Sequence, residues 1–268
     1  MNPIKKFMSR RGALARFING RAMSWHRAFE NLNYDFDTNG ELYVLDTIVN
    51  SDLDVKTVFD VGANRGVWSA MASEKFSDAQ INSFEILEKT YQHLIQRCGN
   101  LENVSCYNFG MSSKKETTTV EFSSKSDGLT TLVKDFMEDF QETSVESYEV
   151  EVVTGDGFCQ EHGIGQIDFL KIDVEGYESH VLEGFEQMLS KGAIKVIQFE
   201  YGYINIATHF LLKDFYDLLG KYDMVLGKVY PDHVAFKPYE YTDENFFGPN
   251  YLAVHKSQEG LIKRLAKG

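Results

Sequence analysis

The hydrophobic pattern changes period along the chain, and each change marks an element. Apolar runs over 55–61, 80–85, 104–109, 167–172 and 193–200 are short and bounded by polar or glycine positions, which predicts buried strands. Between them, the segments 41–50, 66–76, 88–98, 177–190 and 211–221 space their apolar residues three and four apart, which predicts helices. Two further strands are expected near 223–230 and 250–256. Strands alternating with helices predict βαβ units and a parallel sheet. The expected fold is α/β, a single doubly wound Rossmann-like sheet with helices on both faces. Residues 110–148 interrupt the rhythm: they are rich in Ser, Thr, Lys, Glu and Asp, with β-like patches at 117–122 and 148–153. They are expected to form an insertion with a hairpin and a mobile loop.

The N-terminal segment has a pattern of its own. Ile4, Phe7, Met8, Leu14, Phe17, Ile18, Trp25 and Phe29 follow a roughly helical spacing among seven Lys and Arg residues, with no acid before Glu30. The favoured expectation is a helix that packs on the domain and solvates its outer face. A membrane-surface helix, an arm for a polyanionic substrate and an organellar transit peptide are the alternatives. The predicted division is a basic helical arm over 1–38, a domain over 39–258 with its insertion at about 110–150, and a tail over 259–268.

Charge and cysteine content narrow the function. The chain has 268 residues and a net charge of −13, so with seven bases in the arm the remainder carries −20. An acidic body argues against a nucleic acid partner, whose phosphates demand a basic face. Cys98, Cys106 and Cys159 are odd in number and form no CxxC pair, which points to a reducing, cytoplasmic setting. No apolar run approaches the roughly 20 residues of a membrane span, and no secretory apolar region develops at the N-terminus.

In such sheets, ligands bind beyond the carboxyl ends of the strands. The first strand runs into Asp60-Val61-Gly62-Ala63-Asn64-Arg65-Gly66. Gly62 and Gly66 allow a tight turn and a close ligand, but Asn64 stands where a dinucleotide fingerprint has its second glycine. The turn therefore suits a ligand without phosphates, such as the methionine part of S-adenosylmethionine, whose ammonium Asp60 and nearby carbonyls could accept. Glu85 ends the second strand about 20 residues on, the position of an acid that accepts ribose hydroxyls. Gly110, Met111 and Ser112 follow the third strand, where the adenine would lie.

Lys171 sits inside a predicted central strand, and a buried cation there needs a carboxylate partner. Asp173, Glu175 and Glu178 cluster just beyond it, and Glu200 ends the next strand. The cluster fits a general base, a divalent cation site or a structural ion-pair network. No histidine joins it locally, and no metal is expected. His209 and His233 are lesser candidate bases. Neither a nucleophile elbow nor a P-loop occurs.

Together, VFDVGANRG, SFE, IDFLKIDVEGYESHVLEGF and IQFEY resemble the FkbM family of S-adenosylmethionine-dependent methyltransferases, over about 39–256. Asn39-Gly40-Glu41 is similar to an opening motif of that family, which implies that Glu41, with Ala63 and Asn64 of the glycine loop, binds cofactor. The resemblance also implies an acceptor pocket near Asn245, Asn250 and Tyr251, and a hydroxyl as methyl acceptor, often on sugars or natural products. Similar genes often accompany surface-glycan synthesis. Many relatives carry a small residue where Tyr177 sits and a Leu-Asp pair where Gly155-Asp156 stands. The expected activity is O-methyl transfer to a small-molecule or carbohydrate acceptor, with Asp173 as first choice of base, Glu200 as second, and Lys171 fixing their geometry. A nicotinamide-dependent oxidoreductase and a non-catalytic cofactor-binding module are the rival readings.

Overall fold

The computed structural model describes residues 2–123, 130–133 and 145–267. Helices α1 (Pro3–Ser9) and α2 (Ala13–Phe29) form the arm. The domain opens with α3 (Glu41–Val49), β1 (Thr57–Val61), α4 (Val67–Lys75), β2 (Gln80–Phe84), α5 (Glu88–Cys98) and β3 (Val104–Tyr107). The insertion follows as β4 (Gly110–Met111), β5 (Glu116–Ser123), β6 (Thr130–Thr131) and β7 (Val145–Val153). The chain continues through α6 (Gly155–His162), β8 (Ile167–Ile172), α7 (Glu178–Glu183), α8 (Glu186–Ser190) and β9 (Ile194–Glu200). Last come α9 (Ile204–Thr208), α10 (Leu212–Gly220), β10 (Met224–Val229), β11 (Val234–Phe236), β12 (Asn250–His255) and α11 (Glu259–Leu265).

The main sheet runs β11-β10-β12-β9-β8-β1-β2-β3. From β3 to β9 every pair is parallel. A wholly parallel sheet is not what forms, because β12 lies antiparallel to both β9 and β10. No α-helix separates β10 from β12, so the chain has no helical crossover to carry it back and returns reversed. The order turns around between β1 and β8, so the crevice beyond their carboxyl ends is where a ligand belongs.

Strand alternation divides the core between the two faces. Phe59, Leu170, Ile172, Ile197 and Phe199 point to one side, where α6, α7, α8 and α10 cover them. Val58, Phe169, Val196 and Val254 point to the other and meet α3, α4 and α11. On the first face, Phe158 stands edge-on to Phe59 and Phe84 at centroid distances of 5.6 and 5.0 Å. Truncating such a ring to Ala costs about 3–5 kcal/mol.

Several expected boundaries move. The helix expected over 177–190 is two, because a Cβ on Gly184 would fall 2.2 Å from the Ser112 carbonyl oxygen and the chain breaks there to pack closely. Helix α6 lies where none is expected: two glycines hide its pattern, and the Thr154 side chain caps it by accepting from the Gly157 N–H at 3.1 Å. The tail expected over 259–268 forms α11, whose Leu261 and Leu265 are buried with α3. In the insertion, β5 pairs antiparallel with β7 and with β6, and the mobile loop expected there falls largely outside the described residues. The helices of the arm do not lie on the domain as expected, since within α2 only Ala15 is buried, whereas the stretch after them does, with Asn31 buried and donating to the Val229 carbonyl at 3.0 Å; the C-terminal end of α2 meets the body. There His26 packs edge-on to Phe247, and Glu30 accepts from Lys228.

Candidate active site

Five chain segments converge at the carboxyl ends of β1, β2, β8 and β9. The glycine loop turns through Gly62 (φ 86°) and Asn64 (φ 48°) to Gly66 (φ 74°). A Cβ on Gly62 would lie 1.8 Å from the Asp173 carbonyl oxygen, so only glycine lets the ends of β1 and β8 run this close. Gly66 serves packing instead, since its Cβ would meet Leu94 Cδ1 at 2.7 Å.

Two adjoining cavities, of about 300 and 380 Å³, share Tyr34, Gly62, Asn64, Asp173, Glu200 and Pro249 as walls. The first extends past Glu85, Ile86, Gly110 and Met111 and carries Glu175 on its wall. The second extends past Asn39, Glu41, Ala63, Trp68 and Lys171. Asp173 thus stands where the two meet.

Glu85 is nearly buried, and both its oxygens take backbone donors, Oε2 from Asn64 N at 2.9 Å and Oε1 from Leu87 N at 2.8 Å. Burial pushes its carboxyl up to about 7 against those two hydrogen bonds. Each oxygen keeps a further lone pair for a hydroxyl. In the second cavity Glu41 accepts from Asn39 Nδ2 and from Gln198 Nε2, each at 2.8 Å.

Beneath the junction lies a charged ladder. Lys171 is paired in register with Asp60 of β1 and Gln198 of β9. Its Nζ stands 2.7 Å from Asp173 Oδ2 and 3.8 Å from Asp60 Oδ1. Burial acts to lower the Lys171 ammonium, but the facing carboxylates of Asp173, Asp60 and Glu41 outweigh it and hold it above the usual lysine range. Asp60 is sealed in the core, where burial raises it against Lys171 and a 2.5 Å hydrogen bond from Ser69 Oγ. Burial also raises Glu175, to about 8, with Asp173 and Glu178 adding to the effect. Glu200 is held well above the carboxylate range by burial, then by Asp173 and Glu175.

The structure gathers Glu41, Gly62, Ala63, Asn64, Glu85, Gly110, Met111, Lys171, Asp173, Glu175 and Glu200 around these cavities. Other expected site residues line neither. Asp60 lies behind the glycine loop. Ser112 is buried where Gly184 packs. Glu178 is turned inward, accepting from Val174 N and Gly176 N at 3.2 and 3.1 Å, and so shapes the turn after β8. Asn250 pairs with Gln198 at 3.3 Å, Tyr251 packs in the core, and Asn245 donates to Glu30 at 3.2 Å. His209 and His233 also lie away from both cavities. Conversely, sequence reasoning missed Tyr34, Leu132 and Tyr203, which line the first cavity. Tyr203 follows the end of β9 and was open to the strand-end rule; Tyr34 and Leu132 lie in the arm and the insertion, where no pattern singles them out. Thr131 ties the insertion down by donating to the Glu175 carbonyl at 2.6 Å.

A glycine loop, an acid ending β2 and carboxylates beyond β8 and β9, set on a doubly wound sheet, define an enzyme of the nucleoside-cofactor class. The profile of the methyltransferase FkbM domain matches residues 60–223, and the chain belongs to that family. It is a methyltransferase, and its cofactor is S-adenosylmethionine. Among solved structures it is similar to precorrin-6y C5,15-methyltransferase from Geobacter metallireducens, at 11% identity over 78% of this chain and 85% of that one, with a TM-score of 0.39. It is also similar to Aeropyrum pernix fibrillarin with bound S-adenosyl-L-methionine, at 12% identity over 78% and 73% of the two chains, TM-score 0.40. No curated protein sequence matches it significantly.

The cavities suit this cofactor chemically. They are walled by carboxylates that favour a sulfonium and an ammonium, and Glu85 offers acceptors to paired hydroxyls.

Proposed function

We propose that the chain methylates a hydroxyl oxygen of a small-molecule or carbohydrate acceptor in the cytoplasm. The observation that carries this reading is the place of Asp173, on the wall common to both cavities and paired with Lys171 at 2.7 Å. S-adenosylmethionine supplies a methyl group that is already electrophilic, so the protein contributes orientation and electrostatics. Glu85 would accept the ribose hydroxyls, Glu41 the ammonium, and Gly110 and Met111 would flank the adenine. Asp60 acts at one remove, by fixing Lys171.

A sugar hydroxyl is a poor nucleophile at neutral pH, and a carboxylate that takes its proton as the new bond forms raises the rate. Asp173 fills that role in this reading. Glu200 and Glu175, raised by burial, offer protonated partners that can donate to neighbouring acceptor oxygens. Leu132, Ile204 and Tyr203 close the first cavity and would exclude water. The acidic body of the chain, which carries −20 outside the basic arm, would repel a phosphodiester backbone, which favours a neutral acceptor over nucleic acid. The three thiols are free and two are buried, in keeping with a reducing compartment.

The test is methyl transfer from labelled cofactor to sugars and small alcohols, each paired with its deoxy analogue. Label that enters the alcohol but not its deoxy partner supports the reading. Transfer only to amines, or only to RNA, overturns it.

A further inference from the structure

The arm presents an apolar stripe that nothing among the described residues covers. Leu14, Phe17, Ile18, Trp25 and Phe29 recur at i, i+3, i+4, i+11 and i+15, which places them along one side of α2. All five are exposed, Trp25 to 73% and Phe29 to 76%. Arg16 and Arg27 occupy the opposite side, and Arg10 and Arg11 the junction with α1. Arg21 alone falls within the stripe, with its guanidinium 5.6 Å from the Phe17 ring centroid. A long side chain there can lay its stem along the apolar face and lift its charge to the edge. Ile4 and Phe7 of α1 are exposed in the same way, beside Lys5 and Lys6.

An apolar stripe on a helix whose charged side chains are all cations matches one surface chemically, the interface of a bilayer rich in anionic lipid. A nucleic acid would satisfy the charges and leave the stripe in water. A second copy's acidic body would do the same. Among the described residues no helix outside the arm exposes more than one large apolar side chain to meet it.

We propose that residues 2–29 dock this methyltransferase on anionic membrane surfaces and hold the mouth of its active site there. The last turn of α2 makes the connection. Glu30 accepts from Lys228 Nζ at 3.1 Å and from Asn245 Nδ2 at 3.2 Å, and His26 packs on Phe247 with ring centroids 5.5 Å apart. Four residues beyond Glu30, Tyr34 lines both cavities. Whatever holds α2 therefore also sets the height of the cavity rim above that surface. This inference stands whether or not the acceptor is a sugar.

Sedimentation of the full chain with vesicles tests it. The protein should pellet with vesicles of mixed phosphatidylglycerol and phosphatidylcholine, less so as salt rises, and stay in solution with phosphatidylcholine alone. Of the two tryptophans, Trp68 is buried and Trp25 exposed, so vesicle binding should shift emission to the blue in the wild type and not in Trp25→Phe. Removing Arg16, Arg21 and Arg27 together (R16A/R21A/R27A) should weaken binding about a hundredfold, at about fivefold per cation. The double change F17S/W25S should abolish it. Thermal stability and cofactor affinity should stay unchanged in both, because these side chains are exposed and touch neither cavity. Equal binding to phosphatidylcholine overturns the proposal. So does an absence of vesicle binding, whether the arm then proves to pair copies by light scattering or to capture an RNA duplex.

Discussion

Lys171 Nζ lies 2.7 Å from Asp173 Oδ2, so a cation fixed in the central strand sets the direction of a carboxylate on the cavity wall. Strand alternation makes this possible, since residues two apart on β8 and just beyond it share a side. Asp173→Asn keeps the volume and one acceptor oxygen, and Lys171 still faces Asp60. If Asp173 takes the acceptor's proton, kcat should fall roughly 10²–10⁴-fold. Cofactor Kd and Tm should hold. Single-turnover rates measured with both constants decide the matter. A near-normal rate would pass the role to Glu200, and joint loss of stability and affinity would mark a structural ion pair.

Glu85 provides a separate handle on the cofactor. S-adenosylmethionine at a hundredfold excess over Kd should stabilise the fold by about 2.7 kcal/mol, whereas NAD should leave Tm unchanged. Glu85→Ala should weaken cofactor affinity by about 1–3 kcal/mol, since the side chain touches the cavity and holds the Asn64 and Leu87 amides. Unchanged affinity by calorimetric titration would remove Glu85 from the ribose site.

These residues were legible because strand ends announce themselves. Apolar runs fix where β1, β2, β8 and β9 stop, and the fold class then says that the next residues face the ligand. Burial behind a strand end was not legible. Asp60 and Glu178 read as ligand-facing acids, yet one pairs inward with Lys171 and Ser69 and the other caps a turn. Contacts between distant segments were hidden as well. Nothing near Tyr34 or Leu132 in sequence predicts that the arm and the insertion would fold over one cavity. The exposed stripe of α2 was visible as periodicity, but only the structure tells a packed face from an uncovered one.

Glu178 makes a pH prediction. Burial raises its carboxyl from 4.5 to about 7, so the protonated form favours the fold. That contribution is complete below 4.5 and is lost as pH rises through 7. Glu178→Gln keeps an oxygen for the Val174 and Gly176 amides and never ionises. Its stability relative to wild type should climb between pH 5 and 7.5 and level off above, by up to about 3 kcal/mol. For a chain of this size, that is a change of several degrees. A difference that stays flat with pH would show that Glu178 is already ionised in the fold at pH 5.

Activity should survive EDTA. Asp173, Glu175 and Glu200 share a cavity, but Asp173 is already paired with Lys171, and no group of three or more His, Cys, Asp or Glu among the described residues is arranged to hold a metal ion. Complete loss of turnover in EDTA, restored by magnesium or manganese, would show that the carboxylates rearrange around a cation.

Lys171→Met should damage the fold more than Asp173→Asn damages it. Asp60 is fully buried; Ser69 serves its Oδ2, and its Oδ1 has no hydrogen-bond partner, only Lys171 at 3.8 Å. Methionine fills a similar volume but leaves the Asp60 charge uncompensated, a cost of about 3–5 kcal/mol. The cost arises from one unpaired charge, so neutralising that charge should relieve it. Asp60→Asn alone should cost less than Lys171→Met, because Lys171 keeps Asp173 at 2.7 Å, while D60N/K171M should recover much of the Lys171→Met loss, giving a double-mutant coupling of about 1–3 kcal/mol. Chemical denaturation of the four proteins measures this directly. Additive losses, with no recovery in the double variant, would mean that the ladder beneath the active site is held by packing on Trp68 and the neighbouring strands rather than by its charges.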